Sequence, residues 1–470
     1  QVIIFLFIAG FKTAAQVSAP DIYKKIDSIL SEYDSLKPGL AIAIVKDGKI
    51  DFKKGYGLAN LEYDIPITPE TKFHIASVSK QFTAFSIYLL KKEGKISLED
   101  DVRKYIPELP EYGKTIKIKN LLAHTSGLRD QWALLTLAGW QMEDIITTEQ
   151  ILKTVFSQRG LNFEPDSQVG YSNTGYTLLA EIVSRVSGKS FPDFTRDNIF
   201  VPLGMNNTVF KDDFHNVVKN SAHSYELVKG KFEERRLNYS TAGATSLTTT
   251  VEDLAKWVLN FEKPVVGDRE LIKEFSEISK HDNGNYVISS ARPNDTTYHA
   301  KGQLHWKHKG ISVISHGGHD AGFRAVLMRF PEKNLAIITL SNNEHYQMLG
   351  KVLPIADLYL KGSIITEAAT QPTNAQAQKK EPFSNQLTDY IGSYYSQEIS
   401  TEYKIKVTDT KLIMTHSRLG DIELTPVGTD KFSGRNSFLF ELQFERKSNT
   451  ITGFTISNYG VKNLRFARKG

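Results

Sequence analysis

The sequence predicts an α+β protein built from an antiparallel sheet flanked by helices, followed by a smaller antiparallel β-barrel domain. Three patterns carry this prediction: an amphipathic helix followed by a hairpin near the N-terminus, strand-like segments that return after a long helical stretch, and short alternating strands at the C-terminal end. A helix followed directly by an antiparallel hairpin favours α+β over a repeating strand–helix unit.

The first element is an amphipathic helix that opens at Pro20 and Asp21. Its apolar side chains fall on one helical face, and they are Ile22, Ile26, Ile29, Leu30 and Tyr33. Two apolar runs, residues 39–45 and 49–56, then flank the pair Asp47-Gly48. An Asp-Gly pair between two such runs predicts a hairpin with a tight turn.

Strand-like segments return after residues 75–260, whose pattern is mostly helical. They are Tyr298–Trp306, Ile311–Ser315, Ala325–Phe330 and Ala336–Ser341. We expect strands from both ends of this region to share one sheet, with the helices between them. The first predicted domain therefore spans residues 20–362.

Residues 363–385 predict a linker, because they are rich in Ala, Gln, Thr, Asn and Pro and contain little that could enter a core. Beyond them, Tyr403, Ile405 and Val407 alternate with polar residues, which is typical of a half-buried strand. Short strands of this kind, separated by turns, predict a small antiparallel barrel over residues 386–470.

The N-terminal segment is strongly apolar from Val2 to Phe11, and small residues follow it up to Ala19. Ten apolar residues are too few to cross a bilayer, which takes about 20 in a helix. They match the apolar region of a secretory signal, so residues 1–19 predict a signal peptide and an exported protein, periplasmic or secreted. The alternative is a buried hydrophobic segment. No second apolar run reaches membrane length, so no stable membrane span is expected.

Composition bounds the possible functions. The chain has 470 residues, of which 40% are hydrophobic and 24% charged, as is ordinary for a globular protein. Its formal charge of +5 is too dilute over this length to indicate nucleic-acid binding, which needs clustered basic residues. The chain has no cysteine, which excludes thiol nucleophiles, Fe–S clusters and disulfides. The expected partner is a small-molecule or peptide substrate.

The most informative residues are Ser77 and Lys80, at the start of an apolar helical run. A spacing of three places both side chains on one face of a helix. A serine hydroxyl is a weak nucleophile until a base takes its proton, and a desolvated lysine can be that base. The alternative is an N-capping serine beside an exposed lysine, and the motif needs further context to exclude it.

Two further motifs supply that context, since Tyr171–Asn173 and His316–Gly318 follow Ser77–Lys80 in order. Together they resemble the signature elements of the serine β-lactamase and penicillin-binding-protein superfamily, in its class C-like branch. That branch includes D-aminopeptidases, D,D-carboxypeptidases and family VIII esterases. The resemblance covers residues 21–360 and implies a β-lactamase-like α+β fold. The C-terminal segment resembles the lipocalin-like domain often appended to this family.

The resemblance implies a role for each residue of the motifs. Ser77 would be the acylated nucleophile. Lys80 would keep the environment of the nucleophile basic, and Tyr171 would share or carry the general-base role; which of the two is the base is open. Asn173 would hydrogen-bond the lysine and the substrate. The backbone N–H groups of Ser77 and His319 would form the oxyanion hole.

The third motif departs from the Lys-Thr-Gly of true class C β-lactamases. His316 replaces a fixed ammonium group with a side chain that is mostly neutral at pH 7, so efficient β-lactam hydrolysis is not expected. Neutral substrates should be favoured over anionic ones, and protonation of His316 near pH 6 should narrow that preference if its pKa is near 6.5. Gly318 would let a substrate approach the strand edge. The structural alternative is a strand-end histidine followed by a turn.

Four histidines occur close together in sequence: His305, His308, His316 and His319. Their spacing matches no metal-ligand motif, so neither a metal nor another cofactor is expected.

The sequence therefore predicts an exported serine hydrolase that acts on an amide or ester through an acyl-enzyme, as a peptidase, D-aminoacyl peptidase or esterase. The alternative is a penicillin-binding sensor, or a cell-wall peptide-binding protein, that is acylated without efficient turnover. For the C-terminal domain, a packing role and a substrate-restricting or assembly role are both open.

Overall fold

The computed structural model describes residues 19–292, 295–361, 386–435 and 439–470. The predicted linker, residues 363–385, and all of the predicted signal peptide except its last residue lie outside the described residues. Within those described ranges, no helix is both long enough and apolar enough to cross a membrane.

The α-helices of the described residues are α1 Ala19–Ile29, α2 Lys80–Lys92, α3 Ile118–Leu122, α4 Gln131–Leu137, α5 Thr148–Phe156, α6 Asn173–Ser187, α7 Phe191–Thr195, α8 Val251–Glu262, α9 Arg269–Ser276 and α10 Met348–Tyr359.

The main sheet combines strands from both ends of the first domain. Its strands are β1 Leu40–Lys46, β2 Lys49–Tyr56, β3 Ile288–Arg292, β4 Asp295–Ala300, β5 Gln303–His308, β6 Ile311–Asp320, β7 Phe323–Phe330 and β8 Leu335–Ser341. Their order is β3-β4-β5-β6-β7-β8-β1-β2, and every neighbouring pair is antiparallel. The expectation of one shared sheet is confirmed, as is the hairpin turn at Asp47 and Gly48, both of which have positive φ.

Shorter strands complete the first domain: Leu58–Asn60, Ile65–Pro66, Phe73–His74, Ile146–Thr147, Val209–Phe210, Tyr225–Val228, Lys231–Glu234, Tyr239–Ser240 and Leu247–Thr249.

The sheet is buried on both faces, and β1 shows why. Its side chains alternate, so that Ala41, Ala43 and Val45 join the core shared with the large helical region. Leu40, Ile42 and Ile44 point to the other face and join the core formed with α1 and α10. The chain thus forms helices on both sides of one sheet, as the sequence predicted.

One predicted strand is wrong in its boundaries. The segment Tyr298–Trp306 is not continuous, because a turn at Lys301 and Gly302 divides it between β4 and β5. The turn escaped the pattern because it is buried: Lys301 is only 9% exposed. Its Nζ donates to the carbonyls of Glu274 and Glu277 at 2.9 and 2.7 Å.

The C-terminal domain is a closed antiparallel barrel, which confirms the predicted architecture. Its strands are β9 Gly392–Ser396, β10 Thr401–Thr408, β11 Lys411–His416, β12 Gly420–Gly428, β13 Lys431–Arg435, β14 Leu439–Lys447, β15 Thr450–Ser457 and β16 Leu464–Arg468. Pairing of β9 with β16 closes it. Alternate side chains fill its interior, among them Tyr394, Tyr403, Phe432, Phe454 and Phe466.

Candidate active site

Ser77 lies in a 3₁₀ turn, Ala76–Ser79, that runs directly into α2. The preceding residue, Ala76, has φ of 47°, a conformation that L side chains adopt at a cost. The α-helix therefore begins at Lys80, and Ser77 lies in the turn that precedes it. The strained turn fixes the hydroxyl at the mouth of a cleft, while α2 carries Lys80 beneath it.

Lys80 is completely buried, with none of its surface exposed. Its Nζ lies 3.0 Å from Ser77 Oγ, 2.8 Å from Asn173 Oδ1 and 2.7 Å from the carbonyl oxygen of Ala244. Burial lowers the pKa of Lys80 to about 7, and the negative charges of Asp130 and Asp320 oppose part of that fall. An exposed lysine beside a capping serine is thereby excluded.

The three partners of Lys80 can be satisfied by a charged or by a neutral amine. The carbonyl oxygens of Asn173 and Ala244 can only accept, so they take the two N–H groups of an uncharged amine. Lys80 Nζ donates to Ser77 Oγ, and because a hydroxyl can also donate, the same contact allows the amine in its neutral form to take the proton of Ser77. With a pKa near 7, a large share of Lys80 is in this base form at neutral pH.

Tyr171 approaches Ser77 from the other side. Its hydroxyl donates to Ser77 Oγ at 2.8 Å, and its ring stacks on His124 at 4.4 Å between centroids. The side chain is 38% exposed because it also lines the cleft. Desolvation raises the pKa of Tyr171, outweighing the hydrogen bond with Ser77, so the phenol is protonated at neutral pH.

Asn173 is the first residue of α6, and the carboxylate of Asp130 holds it in place. Asp130 Oδ2 accepts from the backbone N–H of Asn173 at 2.7 Å and from Asn173 Nδ2 at 2.8 Å. This clamp turns the amide oxygen of Asn173 toward Lys80. Sequence reasoning missed Asp130. Its position before the apolar run of α4 indicates an N-cap, but nothing in the sequence connects it to Asn173.

The strand edge opposite these residues is formed by His316–Gly318 on β6. His316 is 6% exposed and donates from Nδ1 to the carbonyl of Gly317 at 2.6 Å. Burial, with the nearby Lys80, lowers the pKa of His316 to about 3. The condition on which protonation near pH 6 was expected, a pKa near 6.5, is therefore not met, because the imidazole is buried.

Gly318 is required by close packing against the nucleophile turn. A Cβ at this position would lie 2.2 Å from the carbonyl oxygen of Ile75 and 3.2 Å from Ala76 Cβ. Ile75 and Ala76 immediately precede Ser77, so the strand edge and the turn touch without any side chain between them. His319 follows and pairs with Arg324 of β7. Its backbone role in an oxyanion hole stays a prediction.

A second glycine, which sequence reasoning also missed, packs on the far side of Lys80. Gly302, in the buried turn between β4 and β5, has φ of 68°. A Cβ there would lie 2.8 Å from the carbonyl carbon of Lys80. Two glycines thus allow close contacts here: Gly318 of β6 packs against the residues before Ser77, and Gly302 of the turn packs against the start of α2.

The site opens into a cleft of about 1220 Å³. Aromatic side chains form much of its wall, and they include Trp132, Trp140, Tyr171, Tyr239 and Tyr459. The barrel contributes Arg418, Leu419 and Tyr459 to this wall. The sequence left a substrate-restricting role of this domain open but indicated none of these residues.

Asp320 provides a negative charge in the wall of the cleft. Its carboxylate accepts hydrogen bonds from Thr245 (2.7 Å), His74 (3.0 Å) and Tyr239 (3.2 Å). Burial alone would raise the pKa of Asp320, but these partners outweigh burial and hold it below its usual range.

The histidines that are close in sequence do not form a common cluster. His308 hydrogen-bonds Asp357 at 2.8 Å, whereas His316 faces the cleft. Among the residues that the structure describes, no group of three or more His, Cys, Asp or Glu side chains could hold a metal ion.

A serine hydroxyl, a buried amine with a lowered pKa and a protonated phenol on the same oxygen define a site for acyl transfer. Together with the antiparallel sheet and its helices, this site defines the serine β-lactamase and penicillin-binding-protein class. The sequence model of the Beta-lactamase family matches residues 26–359, so the chain belongs to that family.

Similar proteins agree with this assignment. Penicillin-binding protein 4* of Bacillus subtilis (strain 168) is 26% identical over 438 residues, which cover 89% of this chain and 92% of that protein. Protein flp of Staphylococcus aureus (strain MRSA252) is 29% identical over 341 residues, or 69% of this chain, and the match spans only 64% of flp. The solved octameric penicillin-binding protein homologue from Pyrococcus abyssi has a TM-score of 0.63 and 23% identity, over 96% of this chain and all of that one.

Proposed function

We propose that this protein is an exported serine hydrolase that cleaves a neutral or cationic amide or ester through an acyl-enzyme on Ser77. The observation that carries the proposal is the contact of 3.0 Å between Ser77 Oγ and the buried amine of Lys80, whose pKa is about 7. A buried lysine with a lowered pKa is rarely needed for structure alone, whereas activation of a serine hydroxyl requires such a base.

The proposed proton path uses the two groups that contact Ser77 Oγ, Lys80 and Tyr171. Lys80 takes the proton of Ser77 as Ser77 Oγ forms a bond to the substrate carbonyl carbon, and the carbonyl oxygen takes the negative charge. When the tetrahedral intermediate collapses, the bond to the amine or alcohol breaks and Tyr171 protonates the leaving group. Lys80 returns its proton to Tyr171. Water then attacks the acyl-enzyme by the reverse path and releases the acid.

The charges in the cleft favour neutral or cationic substrates. Among the described residues that line it, Arg418 is the only Lys or Arg, and its guanidinium already pairs with Asp144 at 2.8 Å. His316 is uncharged, and Asp320 is a carboxylate. An anionic group would therefore meet no free cation there, which argues for esters, amides or amino-acyl compounds over carboxylated β-lactams.

Export is the part of the proposal that rests on sequence alone, through the apolar segment of residues 2–11 and the small residues after it. It is tested by expressing the complete gene product with its own N-terminus and fractionating the cells. Recovery of a shortened chain outside the cytoplasm is the expected result, and an intact cytoplasmic chain would contradict export.

The catalytic proposal is tested with a fluorophosphonate probe and a p-nitrophenyl ester, read by intact mass and by absorbance. We expect one adduct per chain, located on Ser77, and steady turnover of the ester. Ser77→Ala is the matched control, since it removes only the hydroxyl and should show neither adduct nor turnover. An adduct elsewhere, or equal labelling of Ser77→Ala, would contradict the proposal.

A labelled penicillin distinguishes the proposal from the sensor alternative. Penicillin-binding relatives make this probe appropriate. If the ester also stalls as a stable acyl-enzyme and the penicillin adduct persists for hours, the protein is acylated without turnover and the hydrolase proposal fails.

A further inference from the structure

The barrel and the first domain meet at α4, the short helix after Asp130. Three of its side chains, Ala133, Leu134 and Leu137, are buried in the core of the barrel. The hydroxyl of Tyr403, inside the barrel, donates to the carbonyl of Leu137 at 2.9 Å. Helix α4 therefore belongs to the first domain by chain connection and to the barrel by packing.

Arg129, the residue before Asp130, also contacts the barrel at this interface. Arg129 is buried, and its guanidinium donates to Glu398 at 2.7 Å and to the carbonyl of Lys462 at 2.9 Å. Glu398 and Lys462 lie in loops of the barrel. These are buried, charge-assisted contacts, so this face of the barrel is a fixed part of the molecule rather than a loosely tethered domain.

Asp130 connects this interface to the catalytic residues. Its backbone N–H donates to the carbonyl of Gly460 in the barrel loop at 2.8 Å. One carboxylate oxygen caps α4, accepting from the N–H groups of Trp132 and Ala133 at 3.0 and 3.2 Å. The other accepts both N–H contacts of Asn173, whose amide oxygen receives the amine of Lys80.

Gly460 is fitted to Asp130. A Cβ on Gly460 would lie 2.8 Å from Asp130 Cβ and 3.0 Å from Ala133 Cβ, so no larger residue fits without movement. The loop is shaped by Asn458, whose side chain accepts from the N–H groups of Gly460 and Val461. Asn162 of the first domain fixes the same loop by donating to Gly460 and accepting from Lys462.

We propose that Asp130 is a positioning residue for Lys80, acting through Asn173, and that the barrel loop of residues 458–463 holds Asp130 in place. The barrel is then a working part of the active site rather than an appended module. This inference rests on the proposed function, because it concerns the base that activates Ser77.

Charge supports the same assignment. Four N–H donors and the N-terminus of α6 favour the ionised form of Asp130, although burial raises its pKa from the ordinary value. The negative charge of Asp130 is the largest influence opposing the fall in the pKa of Lys80. Asp130→Asn should therefore lower the pKa of Lys80 further.

Other charged or titratable groups lie near Lys80, and each could contribute to the pH dependence of acylation. Asp320 adds a second negative charge, and the rings of Tyr171 and Tyr176 lie 5.0 and 5.6 Å from Nζ. The pKa of His124 is far below its usual value, and that of His316 is about 3. Both shifts move these histidines away from the range in which Lys80 titrates, so we assign a midpoint near pH 7 to Lys80.

The decisive experiment measures the rate of Ser77 acylation by an uncharged fluorophosphonate from pH 5 to 9. In the wild-type chain the rate should rise with pH through a midpoint near 7 as Lys80 loses its proton. In Asp130→Asn the midpoint should move down by about one pH unit, with a lower plateau. Asp130→Glu keeps the charge, so its midpoint should return toward the wild-type value even if its plateau stays low.

Gly460→Ala tests the barrel loop on the complete chain. It should lower kcat for a small ester by about 10- to 100-fold, because it displaces Asp130. Tyr459 of the same loop lines the cleft, so a small ester is used and a change in KM larger than the change in kcat would assign the loss to Tyr459 instead. Gly350→Ala is the matched control, since the added methyl meets only the Gln347 side chain. Asn162→Ala, which loosens the loop without touching Asp130, should have the same effect in smaller degree.

The outcomes separate this inference from the proposed function. Absence of a Ser77 adduct in the wild-type chain would reject the proposed function itself. If the wild type is acylated but Asp130→Asn keeps its midpoint, or Gly460→Ala lowers only the melting temperature, Asp130 is a helix cap alone and this inference fails.

Discussion

The two sides of the cleft are built on different principles. On one side, Lys80, Asn173 and Asp130 form a buried network of hydrogen bonds that ends on the nucleophile. On the other, the strand edge at His316–Gly318 is fixed by shape, because glycine lets the backbone touch the turn before Ser77. The difference suggests that the buried side determines the reaction, while the strand edge determines which acyl compound is admitted.

Removing the buried base should have the largest effect. We expect Lys80→Met and Tyr171→Phe each to lower kcat/KM for a neutral ester by about 10³-fold, since each removes a proton-transfer group. The double variant should be little worse than either, because the two groups act as one unit on Ser77 Oγ.

The measurement is ester hydrolysis under single-turnover conditions, with the melting temperature as a check on folding. Met fills most of the volume of the buried lysine, so a cavity is not the cause of any loss. Strictly additive losses in the double variant would show that Lys80 and Tyr171 serve separate steps.

A methyl group on the strand edge should have the next largest effect. Gly318→Ala places Cβ 2.2 Å from the carbonyl oxygen of Ile75, so β6 or the Ser77 turn must move by about 1 Å, which can cost about 10²-fold in kcat. The neighbouring change, Gly317→Ala, meets nothing closer than 3.8 Å and should cost far less. Comparable losses in both variants would mean that polarity or flexibility of the edge matters, and not its close approach.

Local patterns explain which parts of this architecture were predictable from sequence. The hairpin at Asp47-Gly48, the alternation in β1 and the one-turn spacing of Ser77 and Lys80 each follow from residues near one another in the chain. The order of the three motifs then identified the fold. These features need no knowledge of which distant segments meet.

The features that were missed all depend on tertiary contacts. In the sequence, nothing distinguishes Gly302 from other glycines, because its role depends on the contact with Lys80. Asp130 likewise has the pattern of a helix cap, and its second role depends on the contact with Asn173. Tyr459 enters the cleft from a domain more than 300 residues distant from Ser77 in sequence. The lowered pKa of His316 was not predictable for the same reason, because burial is a property of the fold and not of the motif.

The neutral state of His316 leads to a prediction about substrate charge. In the wild type, the ratio of kcat/KM for a neutral ester to that for a matched carboxylated ester should be constant from pH 6 to 8, since a pKa of about 3 leaves the imidazole uncharged throughout. His316→Lys should narrow the ratio by about tenfold, because the introduced ammonium and the substrate carboxylate would form one partly desolvated charge pair.

The narrowing should be greater at pH 6 than at pH 8. The introduced amine would share the burial of His316 and the nearby charge of Lys80, both of which lower its pKa, so it is charged more fully at lower pH. A wild-type ratio that changes with pH would show that a group in the cleft titrates in this range and would contradict the neutral state of His316. A ratio unaffected by the lysine would show that position 316 does not face the substrate carboxylate.

The smallest expected effect comes from Asp320, the carboxylate in the wall of the cleft. Its hydrogen bonds from Thr245 and His74 hold the pKa below the usual range, so it is ionised throughout pH 6 to 8. Asp320→Asn keeps the shape and should favour the carboxylated ester by about twofold, since one charge acting across about 10 Å of water contributes ~0.4 kcal/mol. The neutral ester is the internal control.

A third substrate with an ammonium group sharpens the test: a loss of about twofold confirms a long-range effect, whereas a loss above about tenfold would mean that Asp320 contacts the ammonium directly. In that case the strand edge selects for positive charge rather than merely against negative charge.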